Sequence, residues 1–234
     1  DLIIRNGTIY DGKGGKPFLA DLAVTGKTIA KIGLLEEKGK KEIDAKGKIV
    51  TPGFVDIHTH YDGQVTWDPY LRPSTYHGVT TVVMGNCGVG FSPCKPEKRD
   101  WLIGLMEGVE DIPGTALHEG IDWEWETFPE YLDTLEKKPL AIDVGTQIPH
   151  GAVRAFVMGE RGITQARASE DEIDEMGKIV KEAIAEVKQE ELQQEGKLGK
   201  FLSGVALLGA LLAGNTAVNN QIYSQSPKLK VLVQ

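Results

Sequence analysis

His58-Thr59-His60 and Cys87 are the residues of this chain whose types and spacing fit metal chemistry. Neutral imidazole and thiolate are the nitrogen and sulfur donors that suit zinc, so two histidines and a cysteine meeting at one point supply most of a tetrahedral site. The histidines close the run Ile49-Val50-Thr51-Pro52-Gly53-Phe54-Val55-Asp56-Ile57, which is apolar and β-branched and predicts a buried strand over 49–57. Residues two apart on a strand project to one side, so the two rings share a direction. A His-x-His pair alone is also a common surface feature. Cys87 follows a second β-branched run, Thr80-Thr81-Val82-Val83-Met84, inside Gly85-Asn86-Cys87-Gly88. Taken by itself it reads as a small buried hydrophobe, the ordinary role of a free cysteine. Taken with the histidines, it occupies the equivalent place one strand later. Chemistry at the carboxyl ends of consecutive parallel strands is the layout of an α/β barrel.

The elements that must hold these residues are legible around them. Residues 1–48 alternate short apolar runs with glycine turns, such as Asp11-Gly12-Lys13-Gly14-Gly15, and predict a small β-domain. From Lys48 the pattern becomes strand, loop, helix, strand, with strands expected at 49–57, 79–84 and 140–148. Thr127-Phe128-Pro129-Glu130 is a capping box that opens a helix running through Leu135 and stopping before Pro139. Ser169-Glu170-Asp171-Glu172 is another, followed by Ile173, Met176, Ile179, Val180, Ala183, Ile184 and Val187 at helical spacing. Ahead of the first of them, 110–126 is long for a strand-to-helix connection and reads as a functional loop. Its Trp123 and Trp125 either line a substrate pocket or pack the loop down. His150 directly follows the third strand and is the candidate substrate contact, the alternative being an ordinary exposed loop histidine. His77 precedes the second strand, at the end away from the chemistry, and is read as structural. His118 has no evident partner.

Thr51-Pro52-Gly53-Phe54-Val55-Asp56-Ile57-His58-Thr59-His60-Tyr61-Asp62 resembles the first-strand signature of the amidohydrolase superfamily. Gly78-Val79-Thr80-Thr81-Val82-Val83-Met84-Gly85-Asn86-Cys87-Gly88 resembles the second-strand motif of its D-aminoacylase, or N-acyl-D-amino-acid deacylase, branch. Asp1-Leu2-Ile3-Ile4-Arg5-Asn6-Gly7-Thr8-Ile9, Asp21-Leu22-Ala23-Val24 and Ile43-Asp44-Ala45-Lys46-Gly47 are similar to the strands that precede its barrel. The resemblance runs from Asp1 to about Val187. It implies an α/β chain carrying the first strands of a metal-dependent (β/α)8 barrel, preceded by a small β-sandwich segment. It assigns His58, His60 and Cys87 to one or two divalent ions, zinc first among them. Cys87 then stands where many superfamily members place a carboxylated lysine. The implied reaction is hydrolysis of a non-peptide C–N bond in an N-acyl amino acid or related small amide. A hydantoinase- or dihydropyrimidinase-like cyclic amidase is the neighbouring alternative.

The family pattern gives out after Val187, so the chain is expected to divide into 1–48, 49–187 and a divergent tail, 188–234. The family's barrel has eight strands and three are legible here. Its later histidine ligands and the aspartate that serves as general base belong to strands not found in this sequence. The expectation is an incomplete barrel, no assignable catalytic residue, and either an incomplete catalyst or a truncated relative that binds metal or a partner. The tail contains the apolar stretch Phe201–Ala213, shorter than the roughly 20 residues of a membrane helix. It reads as a buried helix, as a strand covering a sheet edge, or as a fusion scar.

Composition agrees with a soluble enzyme. The 234 residues include 34 acidic and 26 basic side chains, and a net charge of −8 argues against nucleic acid as a partner. Two cysteines, Cys87 and Cys94, make no disulfide framework, although a bond between them is the alternative to a metal role for Cys87. The absence of a visible leader makes the cytoplasm the expected compartment, with no membrane partner and with self-association into a homo-oligomer left open.

Overall fold

A computed structural model describes residues 1–164, 166–195 and 230–232, with side-chain surroundings as far as residue 185. The described chain divides between Gly53 and Phe54 into two compact units.

The first unit is a sheet of short strands. They are β1 (Leu2–Ile9), β2 (Phe18–Thr25), β3 (Thr28–Gly33), β4 (Lys41–Asp44) and β5 (Ile49–Val50). Hairpin turns make β1, β2 and β3 antiparallel in the order β3-β2-β1-β4, while β4 and β5 both run parallel to β1. Alternation along the strands buries Ile9 of β1 against Ala20 and Leu22 of β2. A bulge between Ile4 and Gly7 interrupts the pairing of β1 with β2, and at Gly7 the backbone of β1 runs close to β5. A Cβ at Gly7 would lie 2.6 Å from Cγ2 of Val50. Among the described residues this unit is one sheet rather than the sandwich expected.

The second unit is α/β. Its strands are β6 (Phe54–Asp56), β7 (Val79–Met84), β8 (Asp143–Gln147) and β9 (Lys230–Leu232), all parallel in the order β6-β7-β8-β9. The three expected strands are therefore parallel neighbours, with two boundary corrections. The predicted strand 49–57 is two strands: Ile49-Val50 pairs with Thr8-Ile9 in the first sheet, and Phe54–Asp56 pairs with β7 in the second. Pro52, which has no N–H to give a ladder, stands at the break. β8 begins at Asp143 rather than at Leu140, because Leu140 N–H is taken by Lys138 O and Ala141 N–H by Pro69 O, at 2.9 and 2.8 Å. The fourth strand, β9, was not foreseen from the sequence. No closed barrel is formed by the described residues.

Among the described residues the α-helices of this unit are α1 (Arg99–Glu110), α2 (Gly114–Gly120), α3 (Phe128–Glu136), α4 (His150–Met158) and α5 (Glu170–Glu195). α3 starts as its sequence dictates. Glu130 N–H donates to Thr127 Oγ1 and the Glu130 carboxylate accepts the Thr127 N–H, which satisfies two free donors of the first turn. Its buried residues Phe128, Tyr131, Leu132 and Leu135 fall at helical spacing and belong to the same buried cluster as Val82, Met84 and Val144 of the strands. Burying each such side chain stabilises the fold by roughly 1.5–3 kcal/mol. Ser169 and Glu172 cap α5 in the same reciprocal way. The apolar face expected on α5 is used only in part. Ala183 is buried, Met176, Ile179, Val180 and Ile184 are half-buried, and Ile173 is exposed.

The 110–126 loop contains α2 and is pinned by its tryptophans. Trp125 is 2 % exposed, donates Nε1–H to Phe91 O at 3.0 Å, and stacks edge-on with Tyr131. Trp123 lies against Phe91, Trp125 and the Arg99 guanidinium. Of the two readings of the pair, packing is the one observed. No helix among the described residues is long and apolar enough to cross a membrane. The apolar stretch Phe201–Ala213 lies outside the described residues.

Candidate metal centre

β6 ends at Asp56, so His58-Thr59-His60 is a connection beyond the strand and not its last residues. Alternation persists there because the segment stays hydrogen-bonded to β7. Asp56 Oδ1 accepts the His58 N–H at 3.2 Å, a turn that carries the chain out of the sheet. Thr59 N–H then donates to Val83 O. Thr59 is buried, while His58 on one side is exposed and His60 on the other is half-buried. The two rings lie 5.5 Å apart between centroids, tilted by 58°.

Cys87 sits in the turn after β7 with φ 57° and ψ 12°, a left-handed conformation that few non-glycine residues adopt. Gly85 and Gly88 on either side are also at positive φ. A Cβ at Gly85 would lie 2.2 Å from the Gln147 carbonyl oxygen, so only glycine lets β7 turn this close to the end of β8. The turn aims the Cys87 sulfur at the histidines. His58 Nε2 and Cys87 Sγ are 3.2 Å apart, and one ligating atom from each of His58, His60 and Cys87 lies within 4.8 Å of the others.

This donor set fits zinc. Two nitrogens and a sulfur around a tetrahedral ion at ordinary bond lengths stand ~3.5 Å apart. The His60 ring has its pKa lowered, first by burial and then by the neighbouring His58, which favours the neutral imidazole that binds metal. His60 Nδ1 is buried and has no hydrogen-bond partner among the described residues. A ring nitrogen left so is costly unless something is bound near it.

The other sequence-predicted residues are placed as follows. His150 is the first residue of α4, exposed and outside the three-residue cluster, with its backbone close to Gly88. His77 is exposed in the turn before β7, at the opposite end of that strand. His118 is exposed on α2, and its Nδ1 lies 3.5 Å from Asp100 Oδ1. Cys94 is a free thiol, 3 % exposed, and burial pushes its pKa up to about 12. Cys87 is free as well, so the pairing of the two cysteines is not observed.

Sequence reasoning missed the supports of the cluster. Asn86 is buried and donates Nδ2–H to Val83 O and Thr59 O, at 2.9 and 3.2 Å, while its Oδ1 accepts from Gln147 Nε2 at 2.7 Å. The one signal was a polar amide held between a strand end and the cysteine, in Gly85-Asn86-Cys87-Gly88.

A parallel α/β sheet with this cluster at its strand ends agrees with the family comparison. Residues 41–197 match the amidohydrolase family, and the chain belongs to it. A D-aminoacylase of Alcaligenes xylosoxydans xylosoxydans is 35% identical over 186 residues, which are 79% of this chain and 36% of that protein. A solved D-aminoacylase, described with a binuclear metal center that one metal activates and a second attenuates, superposes with a TM-score of 0.65 at 33% identity. That match covers 80% of this chain and 36% of the other. An N-acyl-D-glutamate deacylase from Bordetella bronchiseptica, complexed with zinc and a phosphonate inhibitor, gives 0.60 at 33% identity over 76% and 35% of the two chains. The chain thus spans about a third of the length of the relatives it matches.

Proposed function

We propose that this chain carries metal-binding residues of a hydrolase of non-peptide C–N bonds, with zinc as the metal and N-acyl-D-amino acids as the substrates. The observation that carries the reading is the convergence of His58, His60 and Cys87 within 4.8 Å at the carboxyl ends of two adjacent parallel strands. The likeness to D-aminoacylase and to N-acyl-D-glutamate deacylase supports the substrate class.

Amide hydrolysis at neutral pH needs an activated water and a polarised carbonyl. A bound zinc ion supplies both, lowering the pKa of its water toward about 7. The work of this chain is to hold donors in place. His58 and His60 present their imidazoles from a connection tied to β7, and Cys87 presents its sulfur from a turn that glycines permit. Donors held by packed backbone need no reordering when metal arrives, which raises affinity. His150, exposed at the start of α4 beside Gly88, is the residue we assign to substrate contact.

The test is hydrolysis of N-acetyl-D-amino acids and their L-enantiomers by the complete polypeptide that carries these residues. Turnover favouring the D-form, abolished by a chelator and by His58→Ala, is expected. Turnover indifferent to both the chelator and the substitution, or confined to the L-form, contradicts the reading.

A further inference from the structure

We propose that Asn86 and Gln147 form an amide clamp that positions His58, His60 and Cys87 for metal, a role that rests on the metal reading above. Asn86 follows β7, Gln147 is the last residue of β8, and Thr59 follows β6. One buried side chain therefore ties together the carboxyl ends of three consecutive strands, through Thr59 O at 3.2 Å, Val83 O at 2.9 Å and Gln147 Nε2 at 2.7 Å.

The residues at either end of these bonds are what make the clamp pertinent. Thr59 lies between the two histidines, and Asn86 is bonded directly to Cys87 in the chain. The clamp fixes the separation of both halves of the donor set. Its chemistry is specific as well. Thr59 O and Val83 O only accept, so the Asn86 NH2 must face them and its Oδ1 must face Gln147. That in turn requires a donor at position 147, which the Gln147 amide supplies. An aspartate at position 86 would set a carboxylate against two carbonyl oxygens, and an apolar residue would take this partner from Thr59 O and Gln147 Nε2, leaving Val83 O only its bonds from Thr59. Asn86 and Gln147 are each 8 % exposed, so water does not readily replace the missing partner. Gly85 completes the device by letting the backbone of β7 come against Gln147 O.

Residues that orient metal ligands typically change affinity 10–100-fold when removed. The experiment is a Co2+ titration of the 234-residue chain, followed through the thiolate-to-cobalt charge-transfer band. It compares the parent with Gln147→Met, Asn86→Leu, Ser92→Ala and His58→Ala. Ser92 is buried and donates to Thr127 O at 3.1 Å, so its variant reports the loss of a buried hydrogen bond with no part in the clamp. Gln147→Met and Asn86→Leu should each raise the Kd for Co2+ by about 10–100-fold and shift or weaken the band, with Ser92→Ala leaving both unchanged. Gln147→Met keeps the two bonds from Asn86 Nδ2, so it serves if Asn86→Leu does not fold. Parent-like affinity and band in Gln147→Met, or an equal loss in Ser92→Ala, overturns the clamp. Co2+ binding unaltered by His58→Ala overturns the metal reading instead. The clamp is then judged in a crystal of metal-free Gln147→Met. A lengthened His58–Cys87 contact supports it, and a contact kept at 3.2 Å overturns it.

Discussion

Thr59 donates both its backbone N–H and its hydroxyl to a single acceptor, the carbonyl of Val83, at 2.9 and 2.8 Å. With Thr59 held inward by two bonds, the residues before and after it, the two histidines, are left to meet Cys87 in the turn after β7. The geometry of the cluster thus begins with a residue that contributes no donor to it. Thr59→Val keeps the branched shape and the backbone bond while removing the hydroxyl. Val83 O retains two other donors, so the expected loss is about 1 kcal/mol in urea denaturation, as for an ordinary hydrogen bond. A loss of several times that would mean the hydroxyl is holding the whole connection.

Two glycines separate close approach from mere helix weakness. At Gly85, φ is 79° and an added Cβ would meet Gln147 O at 2.2 Å, whereas at Gly104, inside α1, an added Cβ meets nothing within 4 Å. Gly85→Ala should destabilise by at least about 2 kcal/mol, through strain and displacement of β8. Gly104→Ala should stabilise by roughly 0.5–1 kcal/mol, because alanine is the better helix former. Urea midpoints of the two variants against the parent check both signs.

The cysteines should differ sharply in reactivity. Cys87 is exposed, whereas Cys94 is buried with its thiol held up to about 12 by desolvation. Thiolate is the reactive form. Iodoacetamide under mildly alkaline native conditions should therefore label Cys87 and spare Cys94, with both labelled in urea, as read by peptide mass spectrometry. Labelling of Cys94 in the folded chain would contradict the packing of that loop.

Stability should respond to acid through the cap of α3. The backbone N–H groups of Thr127 and then Glu126 hold the Glu130 carboxyl below its usual pKa. A depressed folded-state pKa means that the contribution is present above the unfolded value and is lost as pH falls through the folded one. Glu130→Gln cannot titrate. The stability advantage of the parent over this variant should thus shrink as pH is lowered from neutral to below the carboxylate range. A gap that stays constant across those urea midpoints would contradict the cap.

What was legible in the sequence is what is decided locally. β7 begins and ends where its β-branched run does, and both capping boxes form, because each depends on residues within one turn. The candidate metal residues were legible for a similar reason, since each stands just past a strand. The parting of Ile49-Val50 from Phe54–Asp56 was not, because which sheet each joins is settled by partners far away in the chain. Asn86 and Gln147 escaped notice likewise. Their value lies in a bond between residues 61 positions apart. The role of the tryptophans turned on Phe91 O, another distant partner.

Whether His58, His60 and Cys87 hold one metal ion between them can be read from X-ray absorption at the zinc edge of the zinc-loaded chain. One sulfur scatterer at about 2.3 Å is expected beside nitrogens at about 2.0–2.1 Å. The sulfur shell should disappear in Cys87→Ser, with the imidazole signature reduced in His58→Ala. A coordination shell of nitrogen and oxygen alone in the parent, or a sulfur shell that survives Cys87→Ser, would contradict the shared ion.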